Sequence, residues 1–389
     1  MDRRPAINDS RTRRHHLVDV TVPQRLRFLD VVRGLALFGV IALNYHAMLN
    51  DYDAFAPLEP TFLDRLFNPV SGVLSTRFAA TYVFVAGVGV TLMARGVPLA
   101  DRVAVQRLRM KLLRRGAILL LIGYGLEWIW PGTILFYYGA YFLLASLFVL
   151  ASTRVLAAAS LSAIVAAAGV NLWRVSERFN DNYTTWLEPA SPDSPRNVLI
   201  RLFVAYTHPV LPWITFFFAG MIVARGVTRG RLITSRLAAC SGAIVVGTYV
   251  LRDLFRPSLL IDRSTALRAA VVSLQPFDPG LLYVTSTLGI AILAVWCVEA
   301  IVHRLPRSLI VEILARTGRM SLSLYVAHIV VFTLIIDVFD LVDARGLEVA
   351  LGLSFATYAV GLVAAWFILG WKRSEEHTSE LQSRGLISY

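Results

Sequence analysis

Residues 29–49 read LDVVRGLALFGVIALNYHAML. As a helix this stretch is about 31 Å long, enough to cross the ~30 Å hydrocarbon core of a bilayer. It is apolar on every side except at Asp30, Arg33, Asn44, Tyr45 and His46. An ionised group near the bilayer centre costs at least ~2.5 kcal/mol, so the few polar side chains of such a helix face the interior of a bundle. The stretch therefore points to helices in lipid, with the chemistry held in polar groups between them.

The rest of the chain repeats the pattern. Of 389 residues, 56% are hydrophobic and only 16% charged, with a mean hydropathy of +0.61. A soluble domain this apolar lacks the polar surface to stay in solution. Disorder, collagen-like repeats and a nucleic-acid partner are excluded with it. The predicted fold class is all-α, a polytopic membrane helix bundle of about ten transmembrane helices. They fall at 31–50, 71–94, 116–130, 133–152, 155–173, 207–224, 236–254, 281–302, 320–340 and 348–371. The third is short, and Trp128, Trp130 and Pro131 put its end in the interfacial belt. Cys240 and Cys297 lie in apolar runs and make no disulfide framework, and no His or Cys pair has metal spacing, so no metal is expected.

The net charge of +12 is placed unevenly. Seven arginines precede residue 28, residues 95–115 carry six arginines and a lysine, and basic clusters recur at 225–236 and 304–319. The alternate connections are poorer in base or balanced by acid, as in Asp51, Asp53, Glu59 and Asp64. The positive-inside rule then predicts both termini in the cytoplasm. Residues 1–27 form a basic cytoplasmic segment, the first span is an uncleaved anchor, and 28–372 is the transmembrane domain. Two longer outer connections, 174–206 and 255–280, read as solvated loops or as lids over an outward-facing site. Residues 373–389 open RSEEHTSELQ, which is similar to the in-frame translation of a common sequencing-adapter oligonucleotide. They are set aside as non-native.

The polar residues within the spans are the candidates for function. Asp30 and Arg33 stand one turn apart and pair on one face, as a structural ion pair or as part of a cytoplasmic-side site. Asn44 lies about three turns above Arg33 on that face. His46 lies about 24 Å beyond Asp30, near the outer surface, and an ideal helix points it away from that stripe. It reads as an interfacial histidine in contact with water, or as a base at the outer mouth. Gly34, Gly39, Gly87 and Gly89 mark close helix crossings.

Arg77, in LSTRFAATYVFVAGVG (74–89), either snorkels outward or turns inward to hold an anionic or carbonyl-bearing group. Glu127 is a partner the sequence offers it. In GRMSLSLYVAHIVV (318–331), Ser321, Tyr325 and His328 fall at i, i+4 and i+7 and share a stripe. His328 is about 13 Å along the axis from Arg319, close to the midplane. It reads as a general base or proton relay, and equally as a packing histidine with its bonds satisfied. No phosphate-binding loop or nucleophile elbow occurs.

Arg25, Leu29-Asp30, Arg33-Gly34 and Ala36, continuing to Asn44-Tyr45-His46, resemble the opening of two related families. One is the bacterial YeiB-like membrane proteins, whose C-terminal half is a domain of unknown function. The other is the heparan-alpha-glucosaminide N-acetyltransferase-like family. Arg77-Phe78 and Phe84 through Gly87-x-Gly89 continue the likeness. Gly318-Arg319-Met320-Ser321, through Leu324-Tyr325 to His328, is similar to the YeiB-like C-terminal signature. The acetyltransferase-like part covers about 25–150 and the YeiB-like part about 205–372.

The resemblance implies a transmembrane acyltransferase of the bacterial plasma membrane with no bound cofactor. It would move an acyl group from a cytoplasmic acyl-CoA to a saccharide or lipid acceptor on the far side. On this reading the catalytic candidates are His46, His328 and Asp30, and the substrate-binding candidates Arg33, Asn44, Arg77, Tyr325, Arg319 and Ser321. Two departures stand out. The acetyltransferase branch places a histidine in the loop after the first matching span, and 51–70 contains none; the Gly-Pro-Leu-Glu segment that often closes YeiB-like chains is missing. A transporter or flippase, in which the same groups line a passage, and a non-catalytic membrane scaffold are the alternatives.

Overall fold

The computed structural model describes residues 26–49, 61–98, 100–227, 231–259, 262–342 and 346–383, with side chains to residue 368. Most of the basic N-terminal segment, the acids Asp51, Asp53 and Glu59, and the side chains of the set-aside tail lie outside the described residues. The elements are α1 Arg27–Leu49, α2 Phe62–Phe67, α3 Arg77–Arg95, α4 Arg102–Leu126, α5 Ile134–Phe148, α6 Thr153–Arg178 and α7 Pro195–Phe203. They continue with α8 Val210–Arg225, α9 Ser235–Phe255, α10 Arg263–Val271, α11 Leu281–Arg304, α12 Leu309–Arg319, α13 Ser321–Phe332 and α14 Leu347–Ser383. A π-helical turn, Thr333–Val338, extends α13.

Among the described residues, seven helices are long and apolar enough to cross a membrane: α1, α3, α6, α9, α11, α13 with its π turn, and α14 to Ile368. The other three expected segments are helical but differ in kind. Helices α5 and α8 are apolar with only 15 and 16 residues, about 22–24 Å and shorter than the hydrocarbon core. The apolar run at 116–130 is the second half of α4, to Leu126, and the turn that follows it; the first half of α4 carries the basic residues of 102–115. The two long connections expected on the outer side, 174–206 and 255–280, are not bare loops. A short 3-10 turn at Thr185–Leu187 and the helices α7 and α10 occupy them. Side-chain caps at Asp101, Ser152, Ser194, Thr234 and Asp262 accept the free N–H groups at the starts of α4, α6, α7, α9 and α10.

Helix α1 is the axis of the bundle and packs on α3, α11, α12, α13 and α14. Around it α3 lies on α8, α4 on α5, α6 on α8 and α9 on α11. The α3–α8 crossing is made by two glycines. A Cβ on Gly87 would fall into the Phe217 carbonyl, and one on Gly220 into the Phe84 carbonyl. Gly89, expected to make another crossing, instead leaves room for Arg33: a Cβ there would stand 3.2 Å from the guanidinium. Gly87→Val is expected to push α3 off α8 and lower stability by about 1–3 kcal/mol or more. Unfolding of the detergent-solubilised variant measures this, and an unchanged midpoint would refute the crossing.

Candidate functional site

Between α1, α3, α4, α5 and the α12–α13 junction lies a cavity of about 900 Å³. Its lining runs on α1 from Asp30 and Arg33 to Val40, and on α3 from Arg95 back to Tyr82. On α4 it runs from Arg115 to Leu119, and across the junction from Arg319 and Ser321 to Tyr325. The arginines therefore gather at one end. Leu37, Ala86, Leu135, Phe142 and the tyrosines line the remainder.

The charges at the basic end are unequally engaged. Arg33 pairs with Asp30 at 3.3 Å, as the spacing predicts. Arg95 donates to the carbonyls of Ala224 and Arg225 at 2.5 and 3.1 Å, closing the C-terminus of α8. Arg319 shares Glu312 with Arg316 and Arg27, at 3.7, 2.9 and 2.7 Å. Partial burial pushes the Glu312 carboxyl up, but Arg316, Arg27 and Arg319 together hold it below the usual range. Arg115 lies 4.5 Å from the centre of the Phe142 ring and makes no ion pair among the described residues. Planar guanidinium forks around a concave, partly apolar space of this size suit a ligand with phosphates at one end.

Tyr325 stands at the boundary between the cavity and a buried polar cluster. Its hydroxyl accepts from the Ile134 N–H at 3.1 Å and lies 3.2 Å from the Thr133 hydroxyl. One turn further, His328 is completely buried among Tyr45, Trp130 and Tyr325, with ring centres 5.8, 5.8 and 4.8 Å away. Its Nδ1 contacts the Tyr325 carbonyl. A carbonyl only accepts, so Nδ1 carries the proton and Nε2 the lone pair. Asn44 directs its amide nitrogen at that Nε2 from 3.2 Å. The structure thus brings together Asn44, Tyr325 and His328, with Asp30, Arg33, Ser321 and Arg319 in the adjoining cavity.

Two candidates stand elsewhere. His46 is not the water-contacting interfacial residue that its height along α1 implies. It is 3% exposed, and its Nδ1 lies 2.8 Å from the Phe67 carbonyl because α2 folds back over the end of α1. It does not line the cavity. Arg77 turns inward rather than snorkelling, since it sits where α3, α10 and α11 converge. It donates to the carbonyls of Ser75 and Leu274 at 3.0 and 3.3 Å, with its guanidinium 5.2 Å from the Tyr283 ring centre. Glu127, offered as its partner, belongs to Arg201: the two fully buried side chains meet at 2.5 Å.

In the sequence Arg95 and Arg115 are only markers of sidedness. The signal was present in part, since Arg115 is the last charge before the apolar half of α4. Arg201 lies in a connection whose sequence has the character of a loop. An acidic Glu127 in an apolar run was a demand for a cation, but spacing along one chain does not say which.

The family described as heparan-alpha-glucosaminide N-acetyltransferase, catalytic, matches residues 25–261, and the family described as protein of unknown function (DUF418) matches residues 258–374. Among curated proteins no relative matches the chain. The first region supplies Asp30, Arg33, Asn44, Arg95 and Arg115; the second supplies Arg319, Ser321, Tyr325 and His328. More than half of the chain lies in the first match, and its cavity is completed by residues of the second. The chain therefore belongs to the heparan-alpha-glucosaminide N-acetyltransferase catalytic family, as a multi-pass membrane protein with a DUF418 region at its C-terminal side.

Proposed function

We propose that the protein takes an acyl group from a cytoplasmic acyl-CoA and transfers it to an extracytoplasmic acceptor such as a sugar. The observation that carries this reading is the cavity itself, with arginines at one end, Tyr325 on its wall at the other and His328 just beyond. On this reading the chain crosses the bacterial plasma membrane about ten times with both termini in the cytoplasm. The arginine end then opens on the side where acyl-CoA is found. Arg33, Arg115 and Arg319 hold the phosphates, Asp30 orients Arg33, and the thioester reaches the Tyr325 hydroxyl.

The acceptor displaces the Asn44 amide from His328 Nε2. Its hydroxyl or amine gives a proton to Nε2 as it attacks the thioester carbonyl, and the Tyr325 hydroxyl donates to the developing oxyanion. The tetrahedral adduct then breaks its C–S bond. The imidazolium returns the proton to the departing thiolate, leaving acylated acceptor and free CoA.

Detergent-purified protein incubated with radiolabelled acetyl-CoA and saccharide acceptors tests this. Label on a saccharide with release of CoA thiol is the expected result. Arg115→Gln is expected to raise KM for acetyl-CoA by about ten-fold or more while leaving kcat near its original value. Solute uptake into vesicles with no CoA released would replace the enzyme by a transporter.

A further inference from the structure

A second cavity lies at the other end of α3. This helix runs from Arg95, in the large cavity, back to Arg77, a distance of about 27 Å. There Arg77 joins the wall of a hollow of about 330 Å³. The hollow is framed by the loop before α3, the ends of α6 and α9, and α10 with the loop after it. Arg178 reaches it from α6, Arg252 from α9, and Arg256 from the residue that ends α9. The lining has one carboxylate, Asp278, and its Oδ2 already accepts from the Ser273 hydroxyl at 3.1 Å.

Four guanidinium groups and one engaged carboxylate leave a cationic surplus. Among the described residues none of Arg77, Arg178, Arg252 and Arg256 makes an ion pair. Arg77 is only 4% exposed, and its Nε–H has no hydrogen-bond partner. Like charges gathered round a hollow repel, and a buried donor without an acceptor is costly. An anion in the hollow relieves both. Neither the ion pairs of the fold nor the proposed transfer reaction uses these residues.

We propose that this hollow binds the oxyanion group of a ligand, a phosphate or a carboxylate, between the guanidinium forks of Arg178, Arg252 and Arg256, with Arg77 forming the floor. Tyr249 and Gln275 on the same wall supply neutral hydrogen-bonding groups. Guanidinium forks match the planar spacing of such oxygens and bind them with charge-assisted hydrogen bonds. A lipid headgroup and a water-soluble acid present the same oxyanion, and the experiment separates them. Oxyanion binding in this hollow is independent of acyl transfer.

The test uses the full-length protein in detergent, with its unfolding temperature followed against inorganic phosphate and against glucuronate. In parallel the delipidated protein is placed in nanodiscs of phosphatidylglycerol or of phosphatidylcholine. A saturable stabilisation by at least one oxyanion probe is expected. Arg178→Gln, and separately the pair Arg252→Gln with Arg256→Gln, are expected to weaken the midpoint about ten-fold or more. Arg115→Gln, in the large cavity, is expected to leave it unchanged, which separates this site from the proposed donor site. A response to phosphate or glucuronate identifies a soluble ligand; a response to phosphatidylglycerol over phosphatidylcholine identifies a headgroup. The proposal is overturned if no probe stabilises the wild type saturably, or if the response survives both sets of substitutions.

Discussion

Replacing His328 by alanine is expected to lower kcat for acyl transfer by about 10²–10⁴-fold, the usual contribution of a positioned general base. The KM for acyl-CoA is expected to stay near its original value, because His328 does not line the cavity. The state of the ring sets this expectation. With Nδ1–H committed to the Tyr325 carbonyl, Nε2 is the basic atom, and its neighbour is a neutral amide rather than a cation or carboxylate. Asn44 keeps part of its surface accessible while His328 has none, so on the proposed mechanism the amide is the group an acceptor displaces to reach the base.

Asn44→Ala is expected to cost less than His328→Ala and to shift the pH profile of kcat, as a positioning residue would. His46→Ala makes the contrast. That histidine is spent on the Phe67 carbonyl, so its loss is expected to lower stability and leave turnover per folded molecule intact. Full turnover by His328→Ala would remove the residue from the chemistry, and loss confined to His46→Ala would move the reaction to the α1–α2 end.

Arg201→Leu is expected to destabilise the protein by about 3–5 kcal/mol, the cost of leaving one partner of a buried ion pair alone. Both side chains of the Glu127–Arg201 pair are completely shielded. Arg201 also donates to the carbonyls of Pro189 and Ala190 at 2.9 and 2.7 Å, and Glu127 accepts the Gly132 N–H at 3.1 Å. The pair thus ties the connection before α7 to the turn that presents Thr133 and Ile134 to the Tyr325 hydroxyl. Denaturant unfolding in detergent measures the loss. Adding Glu127→Gln to Arg201→Leu is expected to recover part of it, since a neutral amide is far cheaper to bury than an unpaired carboxylate. A single variant as stable as the wild type would show that water or another cation reaches Glu127.

The amino-acid sequence by itself determined that the chain is a bundle of apolar helices, where their basic connections fall, and which polar groups lie among them. These follow from local quantities: about 20 apolar residues for each crossing, the run of arginines between crossings, and the 3.6-residue period that stacks Tyr325 under His328. The Asp30–Arg33 pair belongs here as well, being one turn apart on a single helix. Only the tertiary structure decided which faces meet. Asn44 and His328 are 284 residues apart, and Glu127 and Arg201 are 74 apart. Arg95 and Arg115 become cavity residues only because the end of α3 and the middle of α4 reach the same cavity beside α1. Periodicity gives a side chain its direction around one helix axis. Its partner depends on how neighbouring helices are rotated and shifted against that axis. Backbone contacts such as Gly87 against Phe217 set that placement, and a single helix read alone carries no record of it.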